Sequence, residues 1–462
     1  MGDHPDSPVA LKQTRLVSRR LEDLHEKAVL IGAGSAFFTQ GIVADLIERN
    51  QECELALVDI DPDALDAAER ISRKIVEKMN GPVRVSATTD RREALPGATA
   101  VISTIAVGGR EGRLKDVVIP RKYGAYSSSG DTAMPAGASR ALRMIPATVS
   151  IAEDVLDLAP DALFFNYGNP MTAVCRGVRK ATGANVIGMC HGVKLVGEHL
   201  AWNLGIDKSR VTYDAVGINH FTWFTAFRVD GVDAMPRLRE IAKERIADPE
   251  APNPFCWRLL DLFGAFPAVL DVHVTEFFPY LFPNGMHRGK QLGVDIHSIE
   301  RNISQGDTHF ERMREEAHKP GPLSEDYVVR TVPIGEDVIP MIDSIRADAR
   351  RIFWANVPNT GQAPNLPIDA VIECAVIADG SGLRPIAMPP LPSGLAGTLA
   401  RPFAWVEVIV EAALEGSREK FIQSLLMDGA VNSIDTAVQL AHELLEAHAE
   451  HLPQFAPHER AS

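Results

Sequence analysis

Residues 28–38 read AVLIGAGSAFF, an apolar run passing directly into a glycine turn, and a second apolar run, residues 53–58, ends in Asp59. Strand, glycine turn, helix and acid-terminated strand together predict a dinucleotide-binding βαβ unit. Gly32 allows the tight turn, Gly34 lets the backbone approach a pyrophosphate, and a helix from about Ser35 would aim its first amides at the phosphates. Ser35, Ala36 and Phe37 complete that turn, with Phe37 standing where the fingerprint's third glycine would be. Asp59 is expected to accept from a ribose 2′-hydroxyl, and its charge disfavours a 2′-phosphate, so NAD is expected over NADP. The alternative role for Asp59 is capping the helix that begins at Pro62.

Further mainly apolar runs, residues 98–106, 162–165 and 185–189, end in polar or glycine-rich loops, and residues 83–85 form a short strand. These extend the parallel sheet. Ligands of open α/β sheets bind outside the carboxyl ends of the strands. That rule singles out Val107-Gly108-Gly109-Arg110, the Asn169 loop and Cys190-His191-Gly192. From about residue 200 the pattern changes to strands such as 211–217 and long helical stretches, including 237–246 and 402–415. Residues 385–397, rich in Pro and Gly, read as a surface loop, and 417–455 read as closing amphipathic helices. The expected fold class is α/β. A Rossmann-type doubly wound parallel sheet over 27–200 is followed by a mixed α+β C-terminal domain over 201–462, for substrate, metal and oligomerisation, and preceded by an extension over 1–26.

The chain has 462 residues, too many for one ordinary domain. Its formal charge of −14 argues against nucleic acid or an anionic membrane surface as a partner, because both select a basic face. No apolar run reaches the ~18 residues of a membrane span. The expectation is a soluble cytoplasmic enzyme acting on a small molecule. Five cysteines, at 53, 175, 190, 256 and 374, show no paired spacing and read as reduced thiols.

Cys190 and His220 both follow apolar strands. If they met beside a nicotinamide they would hold one divalent metal, with substrate oxygens completing an open shell. Sequence order does not show that they meet. Ordered motifs make the pair specific: Gly32-x-Gly34-Ser35, Val107-Gly108-Gly109, Gly130-Asp131-Thr132 continuing to Arg140-Ala-Leu-Arg143, Asn169-Pro170-Met171, Cys190-His191-Gly192, Asn219-His220 and Glu276-Phe-Phe-Pro279. In these, from about Lys27 to Phe455, the chain resembles glycoside hydrolase family 4, the NAD- and divalent-metal-dependent glycosidases, on a fold of the lactate/malate dehydrogenase type. The resemblance implies that Cys190 and His220 bind manganese or a similar ion. It also implies that Asn169 contacts substrate near the metal, that the Asp131–Arg143 segment lines the sugar pocket, and that the protein is a homodimer or homotetramer. Asn219 and Arg110 complete the substrate residues expected from these segments.

Such a site explains why a hydrolase uses a nicotinamide. Oxidation at the sugar C3 acidifies the C2 proton, a base removes it, the C1 substituent is eliminated, water adds, and the hydride returns, so NAD is regenerated. Candidate proton-transfer residues are Asp271, His273 and His191. Cys190-His191-Gly192 resembles members acting on unphosphorylated α-glycosides, which makes an α-glycoside the expected substrate. Asp271-Val-His273 resembles a Gly-Asp-Arg-His run of related α-glycosidases, with Leu270 replacing its glycine and Val272 its arginine. Two other functions compete. A 2-hydroxy-acid dehydrogenase of lactate/malate type would need a His-Gly-x-x-Gly that His191-Gly192-Val-Lys194-Leu-Val-Gly197 does not keep, and a non-catalytic NAD-binding protein would not need the Cys190, His220 and Asp131 motifs.

Overall fold

The computed structural model describes residues 26–329 and 337–456. The extension expected over residues 1–26 lies outside them except for Glu26, the first residue of β1 (Glu26–Ile31). Strands β2 (Cys53–Val58), β3 (Val83–Thr88), β4 (Ala100–Ser103), β5 (Leu163–Asn166) and β6 (Val186–Gly188) lie parallel to it in the order β3-β2-β1-β4-β5-β6. Both faces of these strands are covered by helices, which is why they read as continuous apolar runs; Val29, Leu30, Leu55 and Leu57 are fully buried. The order reverses between β1 and β4. Gly32 and Thr104 meet at that crevice, where Thr104 N donates to Ile31 O at 2.8 Å.

The second half of the chain joins the same sheet. β7 (Val211–Ile218), β8 (Phe221–Val229), the two-residue β9 (Val232–Asp233) and β10 (Phe266–Ala268) form an antiparallel group. A separate hairpin, β11 (Met286–His287) with β12 (Lys290–Gln291), precedes β13 (Arg351–Pro358), β14 (Val371–Asp379) and β15 (Gly382–Pro385). β13 docks antiparallel on β6 through Asn356 and Gly188, and β14 then pairs with β7. The residues between β7 and β8 are therefore carried, strand by strand, to the side of the parallel sheet that holds β6.

Some local expectations change. The first helix begins at Phe38, three residues after Ser35, and Ser35 Oγ accepts from the Phe38 amide at 3.2 Å. The loop expected over 385–397 is shorter, because a helix runs from Ser393 to Glu415 through Gly394, Gly397 and Pro402. Those residues cost ~1 kcal/mol per glycine and ~3 for an interior proline. Burial of Leu395, Leu399, Phe403, Val406 and Val410 along one face offsets this at ~1.5–3 kcal/mol per side chain. In the closing helix Ile434–Ala447, Leu440, Ala441 and Leu444 are buried within the chain, and Ile434 and Val438 remain exposed. No described helix is long and apolar enough to cross a membrane.

Candidate active site

The glycine turn folds as its residue types require. Gly32 has φ +93°, and a Cβ there would lie 2.9 Å from the Ile105 amide nitrogen. A Cβ on Gly34 would press on Ala64 and the Asp59 carboxylate, at 2.8 and 2.9 Å. Asp59 holds the turn itself, accepting from Gly34 N at 2.7 Å and from Asp61 N at 3.0 Å. Asp61, not Asp59, caps the helix Pro62–Lys78, through the amides of Asp63 and Ala64. Gly32, Gly34, Ser35, Ala36, Phe37 and Asp59, with Val107 and Gly108 after β4, all line one cavity of about 1700 Å³.

The far end of that cavity reaches Asp131, Asn169, His191 and His273. Asp131 lies in a loop anchored from below by Glu276, whose Oε1 accepts from the amides of Ser129 and Gly130 at 2.7 and 2.8 Å. Asp131 Oδ1 accepts from Ser129 Oγ at 2.9 Å and Thr132 Oγ1 at 2.8 Å, and Oδ2 accepts from Asn169 Nδ2 at 3.3 Å. His220 occupies the two-residue turn between β7 and β8 with φ +67°. Gly217 permits that tight return, since a Cβ there would fall 2.4 Å from Phe221 O. His273 arrives on the helix Leu270–Val274 directly after β10; its ring centre is 3.9 Å from that of His220, and its Nδ1 is 3.7 Å from Asp131 Oδ1.

Asp131, His220 and His273 thus bring three ligand atoms within 4.8 Å of one another, the one such group among the described residues. Burial opposes the charge on Asp131, but His273, His220, Arg113 and Arg140 outweigh it and hold the carboxyl well below its usual range. Burial lowers both imidazoles, His220 far below its ordinary value. One carboxylate and two neutral imidazoles, with His273 Nδ1 buried and lacking a hydrogen-bond partner, form a donor set suited to a divalent ion. Cys190 is not in that group. It is half-buried after β6, with the Gly192 amide 3.4 Å from its sulfur.

Three expected site residues occupy other places. Asp271 is 2% exposed and caps the helix Pro254–Phe263, accepting from the amides of Phe255 and Cys256 at 3.0 and 2.9 Å. Its oxygens are committed there, and it is absent from the cavity wall, where it was expected as a proton-transfer residue. Arg143 does not face the cavity either; it is fully buried in a two-bond ion pair with Asp116, at 2.9 and 2.7 Å. Asn219 donates to Glu373 Oε1 at 3.1 Å, inside a buried network that Thr222 and Asn356 complete. Arg110 does line the cavity, paired with Asp307 and lying over the Phe310 ring. His191 lines it too, with burial lowering its imidazole below the ordinary range.

Sequence reasoning gave no individual role to Arg140, Thr132 or Glu276, and considered Arg113 only as a carboxylate-binding residue. Arg140 Nε donates to Asn169 O at 3.0 Å and Arg113 to Ser129 O at 3.1 Å, so each fixes one of the two site loops. Arg140, Thr132 and Glu276 lay inside the motifs already quoted; helical phase from Arg143 separates the cavity-facing arginine from the buried one only once the packing is seen.

A dinucleotide turn sharing one cavity with a carboxylate–imidazole cluster defines a nicotinamide-type enzyme with a metal-suited site. The sequence profile of the family 4 glycosyl hydrolases matches residues 27–206, and that of their C-terminal domain matches residues 215–431. The chain belongs to family 4 of the glycosyl hydrolases. It is 29% identical to an alpha-galactosidase of Bacillus subtilis over 93% of this chain and 100% of that one. To an alpha-glucosidase of Erwinia rhapontici and an alpha-galacturonidase of Bacillus subtilis it is 30% identical, over 91% of this chain and 97% of each. Among solved structures, lplD from Bacillus subtilis superposes with a TM-score of 0.80 at 28% identity, over 91% of this chain and 100% of that one. A 6-phospho-alpha-glucosidase from gut microorganisms in complex with NAD and Mn2+ has the same fold, with a TM-score of 0.81 at 19% identity over 93% and 99%.

Proposed function

We propose that this glycosidase hydrolyses unphosphorylated α-glycosides with NAD and a divalent metal, Mn2+ foremost. The carrying observation is the single cavity that joins the Gly32–Gly34 turn to Asp131 and His273. The names of the curated relatives, an alpha-galactosidase, an alpha-glucosidase and an alpha-galacturonidase, support the α-glycoside. Asp131, His220 and His273 would hold the metal, with Cys190 as the further donor that the family resemblance implies. Bound NAD supplies a reversible hydride acceptor, and the metal supplies Lewis-acid stabilisation of charge on adjacent sugar oxygens.

The chain's own residues bind and orient the sugar. Asn169 Nδ2 is engaged by Asp131, which leaves its buried Oδ1 without a protein partner at the cavity wall, an acceptor for a sugar hydroxyl. Arg113 and Arg140 hold the loops to either side. With Asp271 withdrawn, His191 is the proton-transfer candidate, since its lowered imidazole is neutral and free to accept a proton near pH 7. His273 is the second, in forms of the site where it does not bind metal. In this reading the protein works in the cytoplasm as a dimer or tetramer, and light scattering checks its assembly.

Hydrolysis of an α-glycoside panel in heavy water tests the reading. Deuterium at C2 of the product sugar, with activity that requires NAD and accumulates no NADH, is expected. Full retention of the C2 hydrogen with turnover in the absence of NAD overturns it.

A further inference from the structure

Thr132 Oγ1 stands between two groups of the cluster, 2.8 Å from Asp131 Oδ1 and 2.7 Å from His220 Nδ1. A hydroxyl has a single hydrogen to donate. Asp131 accepts at both oxygens, from Ser129 Oγ as well as Thr132 on Oδ1 and from Asn169 on Oδ2, which is the pattern of a carboxylate acceptor. The Thr132 hydrogen therefore belongs to Asp131. Its oxygen can only accept on the other side, so His220 Nδ1 must carry a hydrogen and donate it. The reverse assignment would face Thr132 oxygen against carboxylate oxygen at 2.8 Å with no hydrogen between them. At 7% and 6% exposure, Thr132 and His220 have little access to a bulk water that would relieve such a contact.

We infer that Thr132 is the positioning residue that fixes His220 as its Nδ1–H tautomer and so presents the Nε2 lone pair to the divalent metal. A ligating imidazole is neutral and has one N–H, so closing Nδ1 leaves Nε2 as the only metal-binding nitrogen. Metal-bound histidines commonly give their other N–H to a carboxylate, carbonyl or water; here a hydroxyl passes that role on to Asp131. Asp131 then anchors the His220 ring through Thr132 while offering its own oxygen to the cluster. Glu276 fixes this geometry by holding the two amides that precede Asp131. The inference rests on the reading that this cluster holds a metal.

The test compares the full-length parent with Thr132→Ser and Thr132→Val in Mn2+ titrations read by the electron paramagnetic resonance of the free ion, with NAD affinity measured by calorimetry. Ser keeps the hydroxyl and is expected within about threefold of the parent, whereas Val, of nearly the same shape, is expected to lose at least ~10-fold in Mn2+ affinity with NAD affinity unchanged. Equal affinity of Val and parent, or equal loss in Ser and Val, overturns the inference and leaves the metal reading standing. No Mn2+ binding by the parent overturns the metal reading and the inference with it. Nitrogen-15 resonances of His220 in the labelled parent, assigned with His220→Asn, give a readout that does not depend on folding of the Thr132 variants. An Nδ1–H pattern is expected, and an Nε2–H pattern overturns the assignment.

Discussion

Asp59 Oδ2 accepts from the Gly34 amide at 2.7 Å, so the carboxylate expected to read the ribose also ties down the phosphate turn. Asp59→Ala removes both contacts and is expected to weaken NAD binding by ~10–100-fold, as for hydrogen bonds to a charged group. It should narrow the preference for NAD over NADP. Asp59→Asn keeps an acceptor for Gly34 and should lose less. Calorimetric titration of both dinucleotides checks this, and equal affinities in the parent would contradict it.

Arg143 and Asp116 share a buried ion pair to which His448 Nε2 adds at 3.0 Å from Asp116 Oδ1. This cluster ties the residue that follows the closing helix to the dinucleotide half. Arg143→Met leaves Asp116 without its guanidinium, and removing one partner of a buried pair costs ~3–5 kcal/mol. A lower urea midpoint with an unchanged slope is expected, with NAD affinity retained in the folded protein. A fully stable variant that had lost sugar affinity would return Arg143 to the substrate pocket.

Burial first, and then the charge of Asp131, push the Glu276 carboxyl up to about 8. The folded chain therefore holds a proton at Glu276 that the unfolded chain has released. Its contribution to stability is complete below the ordinary glutamate range and is lost as pH rises towards about 8. Glu276→Gln cannot lose that proton, so its stability relative to the parent is expected to rise with pH between 5 and 8, flattening above (~1.4 kcal/mol per pH unit is the ceiling). Urea denaturation at a series of pH values reads this, and a parent-to-variant difference independent of pH would refute it.

His273 belongs to the metal-suited cluster, its Nδ1 lacking a hydrogen-bond partner and its ring centre 3.9 Å from that of His220. His273→Ala is expected to weaken Mn2+ by at least ~10-fold while leaving NAD binding intact, because the dinucleotide turn lies on other strands. Chelator should abolish turnover in the parent and Mn2+ should restore it. Unchanged Mn2+ affinity in the variant would confine His273 to proton transfer.

Asp271 and His273 show how far the sequence reached. Both stood in one short run that resembles a catalytic stretch, two residues apart, yet one caps a helix and the other enters the cluster. Leu270, at the position where the resembled run has glycine, takes φ +61°, the left-handed conformation that glycine adopts most readily. Along the short helix that follows, Asp271 meets the amides of Phe255 and Cys256 while His273 faces the cluster. Arg140 and Arg143 divide in the same way, one helical turn apart, between the cavity and Asp116.

The sequence by itself determined the dinucleotide half: the strands, the two-glycine turn, Asp59 and the family. Such features are local, set by hydrophobic runs and by what only glycine can do at φ +93°. Only the tertiary structure decided the metal-suited cluster. Asp131, His220 and His273 come from three distant segments, and they meet because β13 and β14 bridge β6 to β7 and so deliver the β7–β8 turn to the parallel sheet. Pairing of that kind depends on the whole sheet, and no window of sequence contains it.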